Sequence, residues 1–174
     1  EQQTRQRLLR HLQTNGLLQG DMALQGSEIS GDGYFFDARQ GEDQQVLLTK
    51  QNTVAEAERS RWIQDQAGRL HLADKPWLCL TPNGNLLYAK TCQSESPQQR
   101  WTYHNNSQNP WVLRNQTSGP CLDFDRSNIR LITYSCTGSS NQRWQGITHN
   151  MDNWLSILPA DALKDVARLL LASA

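Results

Sequence analysis

Between Cys121 and Trp144 the chain carries a carboxylate, Asp123, a phenol, Tyr134, and an amide pair, Asn141-Gln142, in a segment bracketed by Cys121 and Cys136. These groups suit recognition of a polyhydroxylated ring better than bond cleavage. A carboxylate accepts hydrogen bonds from two neighbouring hydroxyls, a charge-assisted pattern stronger than a neutral pair. An aromatic face covers an apolar C–H face, and an amide bridges as donor and acceptor together. Each residue also has a plain structural reading: Asp123 and Asn141 as turn residues satisfying backbone groups, Tyr134 as a cross-strand packing residue. No G-x-S-x-G, H-E-x-x-H, phosphate loop or Cys–His arrangement occurs. Asp32, Asp37, Asp123 and Asp125 are the carboxylates from which a hydrolytic pair would be drawn. Asp pairs at β-turns are common, and the expectation is a protein without catalysis.

The elements that must position these groups repeat. From Gly20 onward, short alternating runs are broken by Gly, Asp and Asn, the pattern of an all-β sandwich or barrel. Trp62, Trp101 and Trp144 recur at about 40 residues, a period that points to repeated units. Ahead of them lie three similar strands, Gln45–Lys50, Asn85–Lys90 and Ile129–Tyr134. Ahead of those lie Phe35-Phe36-Asp37, Cys79-Leu80-Thr81 and Cys121-Leu122-Asp123. Helical text flanks the repeats. Leu8, Leu9 and Leu12 form a stripe within residues 1–15, with Gly16 as a cap. Leu163, Val166, Ala167 and Leu170 form another, widened by Leu169 and Leu171, after a start at Pro159-Ala160-Asp161.

Composition agrees. The 174 residues include six Trp and 11 Gly at 37% apolar content, a balance for short strands and many turns. Lys+Arg and Asp+Glu are equal at 17 each, so no bulk field draws in nucleic acid or an anionic membrane. No run approaches the roughly 18 apolar residues of a spanning helix. Starting at Glu1 without Met or signal peptide, the chain reads as a processed product or a piece of something longer. His11, His71, His104 and His149 are scattered and no C-x-x-C occurs, so neither a zinc site nor any cofactor is expected. Asn105-Asn106-Ser107 and Asn115-Gln116-Thr117 are glycosylation sequons or simply Asn-rich turns.

The ordering Cys-Leu-Asp, strand, Tyr-Ser-Cys, Asn-Gln-Arg-Trp resembles one lobe of a ricin B-chain-type (R-type) lectin, a β-trefoil whose lobes each end in Q-x-W. The second copy keeps Gln99-Arg100-Trp101 and both cysteines. The first has Ser60-Arg61-Trp62, with Phe35 and Asn52 where cysteines would stand. The resemblance implies an all-β fold: a β-trefoil of three Q-x-W-type lobes over residues 20–148, with a short helix at each end. Residues 1–19 are then an N-terminal helix or connector and 149–174 a C-terminal helical extension. Four cysteines allow three pairings. With each pair inside one repeat, Cys79–Cys92 and Cys121–Cys136 are the economical choice, and disulfides imply an oxidising compartment, the protein being secreted, or periplasmic in transit.

The resemblance also assigns roles. Asp123 clamps the sugar, Tyr134 stacks on it, Asn141 adds a polar contact, Gln142 braces Asp123 and Trp144 belongs to the core. Ile132 departs from the family pattern, because its position is often polar. The second lobe offers Thr81 and Lys90, neither carboxylate nor ring. The first has Asp37, but Lys50 where stacking is needed and Arg59-Ser60 for Asn-Gln. The implied function is a lectin module, with one competent site in the third lobe, that targets a secreted parent to cell-surface or polysaccharide glycans. Galactose-type sugars are the expected ligands. The expected parent is a bacterial toxin such as a haemolysin, or a hydrolase, contacted through the terminal helices. The alternatives are a β-trefoil protease inhibitor of Kunitz soybean type and a structural trefoil that binds no glycan.

Overall fold

Runs of three to six residues that alternate inward and outward are too short for a wide sheet and must curl to share a core. The computed structural model describes residues 3, 6, 7, 22–26, 33–50, 60–65, 67–73, 75–104, 112–148, 160, 164 and 167. Its strands are β1 (Met22–Gly26), β2 (Tyr34–Asp37), β3 (Leu47–Lys50), β4 (Arg61–Gln64), β5 (Leu70–Leu72) and β6 (Leu78–Asn83). They continue with β7 (Leu86–Thr91), β8 (Trp101–His104), β9 (Val112–Asn115), β10 (Cys121–Asp125), β11 (Arg130–Tyr134) and β12 (Trp144–Thr148). All belong to one antiparallel sheet whose last strand returns to its first, β12 pairing with β1 from Met22 opposite Thr148 to Gly26 opposite Trp144. Four strands make a lobe, and the middle two of each four form a hairpin. The three hairpins meet through Gln45 opposite Tyr88 and Leu86 opposite Ile132. This is a β-trefoil.

The tryptophans show the threefold repeat at atomic level. Trp62, Trp101 and Trp144 are at most 2% exposed, and their indole N–H groups donate to the carbonyls of Phe36, Leu80 and Leu122 at 3.2, 3.1 and 3.0 Å. Each bond reaches from the last strand of a lobe to the first strand of its hairpin, so one side chain fills the core and fixes the hairpin's angle. Around them pack Phe36, Leu48, Leu80, Leu87, Leu122, Phe124 and Leu131. Phe36 lies edge-on to Trp144 with centroids 4.7 Å apart, which joins the first lobe to the third. Gly68 accepts the Trp101 N–H through its carbonyl at 2.9 Å, and a Cβ there would meet the Trp101 oxygen at 2.8 Å. The second lobe closes only over glycine at this point.

The glutamine of Q-x-W has a clear task. Gln99 ends a short 3-10 turn, Pro97–Gln99, and donates to Thr91 O and Thr81 Oγ1 while accepting from Gln93 N–H at 2.8 Å. Gln142 ends the matching turn, Ser140–Gln142, and donates to Ser135 O while accepting from Thr137 N–H at 2.8 Å. In both lobes the amide stitches the chain leaving the hairpin to the turn before the tryptophan. Disulfides Cys79–Cys92 and Cys121–Cys136 close the same two lobes. By chain-entropy models each contributes about 3 kcal/mol.

The structure revises one reading of the sequence and decides another. In the first lobe the hairpin register pairs Phe35 with Thr49, whereas Cys79 pairs with Lys90 and Cys121 with Tyr134. The residue equivalent to Tyr134 is therefore Thr49 and not Lys50. The second sequon is structural: Asn115 is 4% exposed and its amide donates to Gln98 O at 2.9 Å and Arg100 O at 3.2 Å. Asn105 and most of the terminal segments expected to be helical lie outside the described residues. The six described there, Gln3, Gln6, Arg7, Ala160, Lys164 and Ala167, have helical backbone, and Ala167 is buried.

Candidate functional site

Strand alternation sorts the third hairpin into two faces. Leu122, Phe124, Leu131 and Thr133 turn inward and are buried. Asp123, Ile132 and Tyr134 share the other face, with Asp123 directly opposite Ile132 and Tyr134 opposite Cys121. Beside that face runs the segment Ser135–Gln142, returning from the hairpin toward Trp144. Between hairpin and segment lies an open groove of about 500 Å³, lined by Asp123, Asp125, Arg126, Ile132, Tyr134, Thr137, Ser139, Ser140 and Asn141.

Asp123 sits at the groove's base, 5% exposed. Its Oδ1 accepts from Asn141 Nδ2 at 2.8 Å and its Oδ2 from Gln142 Nε2 at 2.9 Å. Gln142 is fully buried and locked by its two other bonds, so it braces the carboxylate from behind. Burial pushes the Asp123 carboxyl above the ordinary carboxylate range, and the Asp125 charge adds to the rise; the Gln142 and Asn141 hydrogen bonds and the Arg126 charge oppose it without cancelling it. Tyr134 is 60% exposed and stands over the groove, where a solvent-facing ring costs apolar hydration and gains no packing. Ile132, half-buried, supplies an apolar patch between ring and carboxylate.

The rim comes from Arg126, which sequence reasoning passed over, and Asp125, which it considered only as half of a hydrolytic pair. Arg126, in the turn after β10, donates from Nη2 to Ser140 Oγ at 3.0 Å and joins the two walls. Asp125 lines the groove but is occupied: it accepts from Ser127 N–H, Asn128 Nδ2 and Arg130, and the Asn128 and Arg130 contacts hold its carboxyl below the ordinary range. Charged side chains within a turn, followed by Thr137-Gly138-Ser139-Ser140, were the available signal.

The other lobes lack this arrangement. Asp37 is fully buried, accepting from Arg39 N–H at 2.8 Å, Arg39 Nε at 2.7 Å and Thr49 Oγ1 at 2.8 Å. Its lone pairs serve an internal ion pair. The second-lobe groove has Thr81, whose hydroxyl donates to Cys79 O, and Lys90, which leans over the Tyr88 ring.

A different cluster lies under the second lobe. His71, 1% exposed, places Nε2 2.7 Å from Asp65 Oδ2 and Nδ1 2.7 Å from Pro76 O. Nδ1 also lies 3.6 Å from Cys79 Sγ and 3.3 Å from Cys92 Sγ. The histidines are scattered along the sequence, and the fold brings one of them, His71, against a disulfide.

The sequence profile of the ricin-type beta-trefoil lectin domain matches residues 27–144. No curated protein sequence is significantly similar to the chain. Among solved structures, a mosquitocidal holotoxin is similar at TM-score 0.63 and 19% identity, over 76% of this chain and 17% of that one. The C-half of an earthworm R-type lectin in complex with GalNAc is similar at TM-score 0.60 and 14% identity, over 74% of this chain and 99% of that one. GalNAc-T7 with UDP, GalNAc and Mn2+ is similar at TM-score 0.58 and 19% identity, with 75% of this chain matching 23% of that one. At these identities the structures speak for the fold alone. The profile, running from ahead of the first hairpin to the third tryptophan, goes further: the chain belongs to the ricin-type beta-trefoil lectin domain family.

Proposed function

We propose that the protein is a carbohydrate-binding module that holds one sugar in the third-lobe groove and carries a secreted parent protein to glycans. The observation behind this reading is the Asp123 carboxylate. Each oxygen accepts one amide bond, from Asn141 or Gln142, which leaves one further lone pair on each for two adjacent hydroxyls. Tyr134 and Ile132 offer an apolar cover for the C–H face of the same ring. Galactose-type sugars fit the proposal, and the earthworm lectin bound to GalNAc supports it by analogy of fold. That the match covers only 17% of the holotoxin and 23% of GalNAc-T7 supports an accessory role. Two disulfides support passage through an oxidising compartment.

A shallow site for a small ligand should bind with Kd on the order of 1 mM, about −4 kcal/mol. The test is a glycan array followed by calorimetric titration of Asp123→Asn beside the parent. Asparagine can accept from Gln142 and donate to a flipped Asn141, so the fold should survive while the second acceptor is lost. Binding should fall below detection, and Asp37→Asn should retain it. Equal affinity of Asp123→Asn and the parent would remove the site from this groove.

A further inference from the structure

We infer that His71, Cys79 and Cys92 form a latent site for a thiophilic divalent cation of the zinc class, opened when the Cys79–Cys92 disulfide is reduced. The three donor atoms, His71 Nδ1 and the two Sγ, all lie within 4.8 Å of one another. Their setting resembles a metal site more than a disulfide's usual surroundings. A metal-bound histidine nearly always gives its other ring N–H to a carboxylate, which fixes its orientation. Here Asp65 already takes Nε2 at 2.7 Å and is itself held by Arg69 through Nε at 2.7 Å and the backbone N–H at 3.0 Å. Nδ1 is thus held on the sulfur side of the ring, 3.3 Å from Cys92 Sγ and 3.6 Å from Cys79 Sγ, with Pro76 O 2.7 Å away as its present partner. Among the described residues no histidine joins the Cys121–Cys136 pair in such a cluster; Cys136 Sγ lies 3.7 Å from Gly119 O.

The chemistry balances. A phosphine or dithiol reductant supplies two electrons, the S–S bond breaks and two thiols form. Cation binding then releases the two thiol protons and the Nδ1 proton that faces Pro76 O, so that Nδ1 coordinates as a neutral donor while Nε2–H stays on Asp65. Two thiolates offset the two positive charges, and Asp65 offsets Arg69, so the filled site adds no net charge to the interior. Zinc–sulfur bonds of about 2.3 Å and zinc–nitrogen bonds of about 2.0 Å require the freed sulfurs to part to roughly 3.7 Å. Cα atoms 5.0 Å apart permit this by side-chain rotation. The fourth position faces the Pro76 carbonyl, 3.7 Å from Cys92 Sγ, or water.

The test uses the full chain, reduced anaerobically with a phosphine and titrated with Co2+ and then Zn2+. Expected are one ion per chain, a thiolate-to-cobalt charge-transfer band, and zinc absorption fine structure showing two sulfur and at least one imidazole ligand. Cys121→Ser/Cys136→Ser should keep the site and Cys79→Ser/Cys92→Ser should lose it. Asp65→Asn should weaken it by about 10–100-fold while leaving the band in place. The absorption measurement needs no variant, so misfolding of a mutant does not blunt it. The inference is overturned if the oxidised chain binds equally well, if the ligands lack imidazole, if the bound ion bridges chains, or if the reduced chain loses its β signature.

Discussion

Asp123 and Asp37 occupy the same place in two lobes, yet their neighbours give them opposite uses. Arg39 and Thr49 consume Asp37, whereas Asn141 and Gln142 orient Asp123 without exhausting it. The raised Asp123 carboxyl has a consequence for pH. A group whose folded value is raised takes up its proton at higher pH than an ordinary aspartate, and the protonated form is a poorer double acceptor. Sugar affinity should therefore be full at neutral pH and fall on acidification sooner than the ordinary carboxylate range would suggest; titrations at a series of pH values would show it, and a flat profile down to pH 4 would contradict it. The Tyr134 ring face should contribute about 1–2 kcal/mol. Tyr134→Ala should then weaken binding roughly 5–30-fold, with Tyr134→Phe close to the parent. The polar candidates of the third lobe were legible because they lie in one continuous segment. The Asp65–His71–disulfide cluster was not, since His71 stands 8 and 21 residues from its sulfurs and only the fold joins them.

Each hairpin turns through a residue with positive φ: Asp43 at 61°, Gly84 at 63° and Ile129 at 50°. Glycine takes this conformation freely and aspartate tolerates it, but a β-branched side chain is strained there. Ile129 is 48% exposed, so little packing repays the strain. Ile129→Asn should stabilise by about 1 kcal/mol, raising Tm by roughly 2–6 °C in a melt of the oxidised chain. An unchanged or lower Tm would mean that the isoleucine packs better than its exposure implies. At this scale the sequence was informative where a polar partner marked the pattern. Gln99 and Gln142 announced their turns, and alternation located the hairpins. It misplaced the first-lobe register because Val46-Leu47-Leu48 is apolar without a break, and period two alone leaves a one-residue slip open. It left Asn115 open between sequon and Asn-rich turn because a sequon is a local pattern, while the carbonyls of Gln98 and Arg100 that claim its amide are brought in by the fold.

The whole molecule depends on closure. Trp62, Trp101 and Trp144 were visible as a period, and that period correctly gave three lobes sharing one core. What it could not show is that β1 has its partner at the far end of the domain. A chain ending at Arg143 lacks β12, leaves the β1 edge unpaired and deprives Phe36 of the Trp144 ring. It should fail to fold, seen as loss of near-ultraviolet dichroism and of a cooperative melt; native-like spectra would show that the third lobe can do without its last strand. The same seam governs how the module carries load. Met22 lies opposite Thr148, so the chain enters and leaves at one end of a five-residue ladder. Tension applied between those two points meets the hydrogen bonds singly, in the manner of a zipper, and the seam peels at low force.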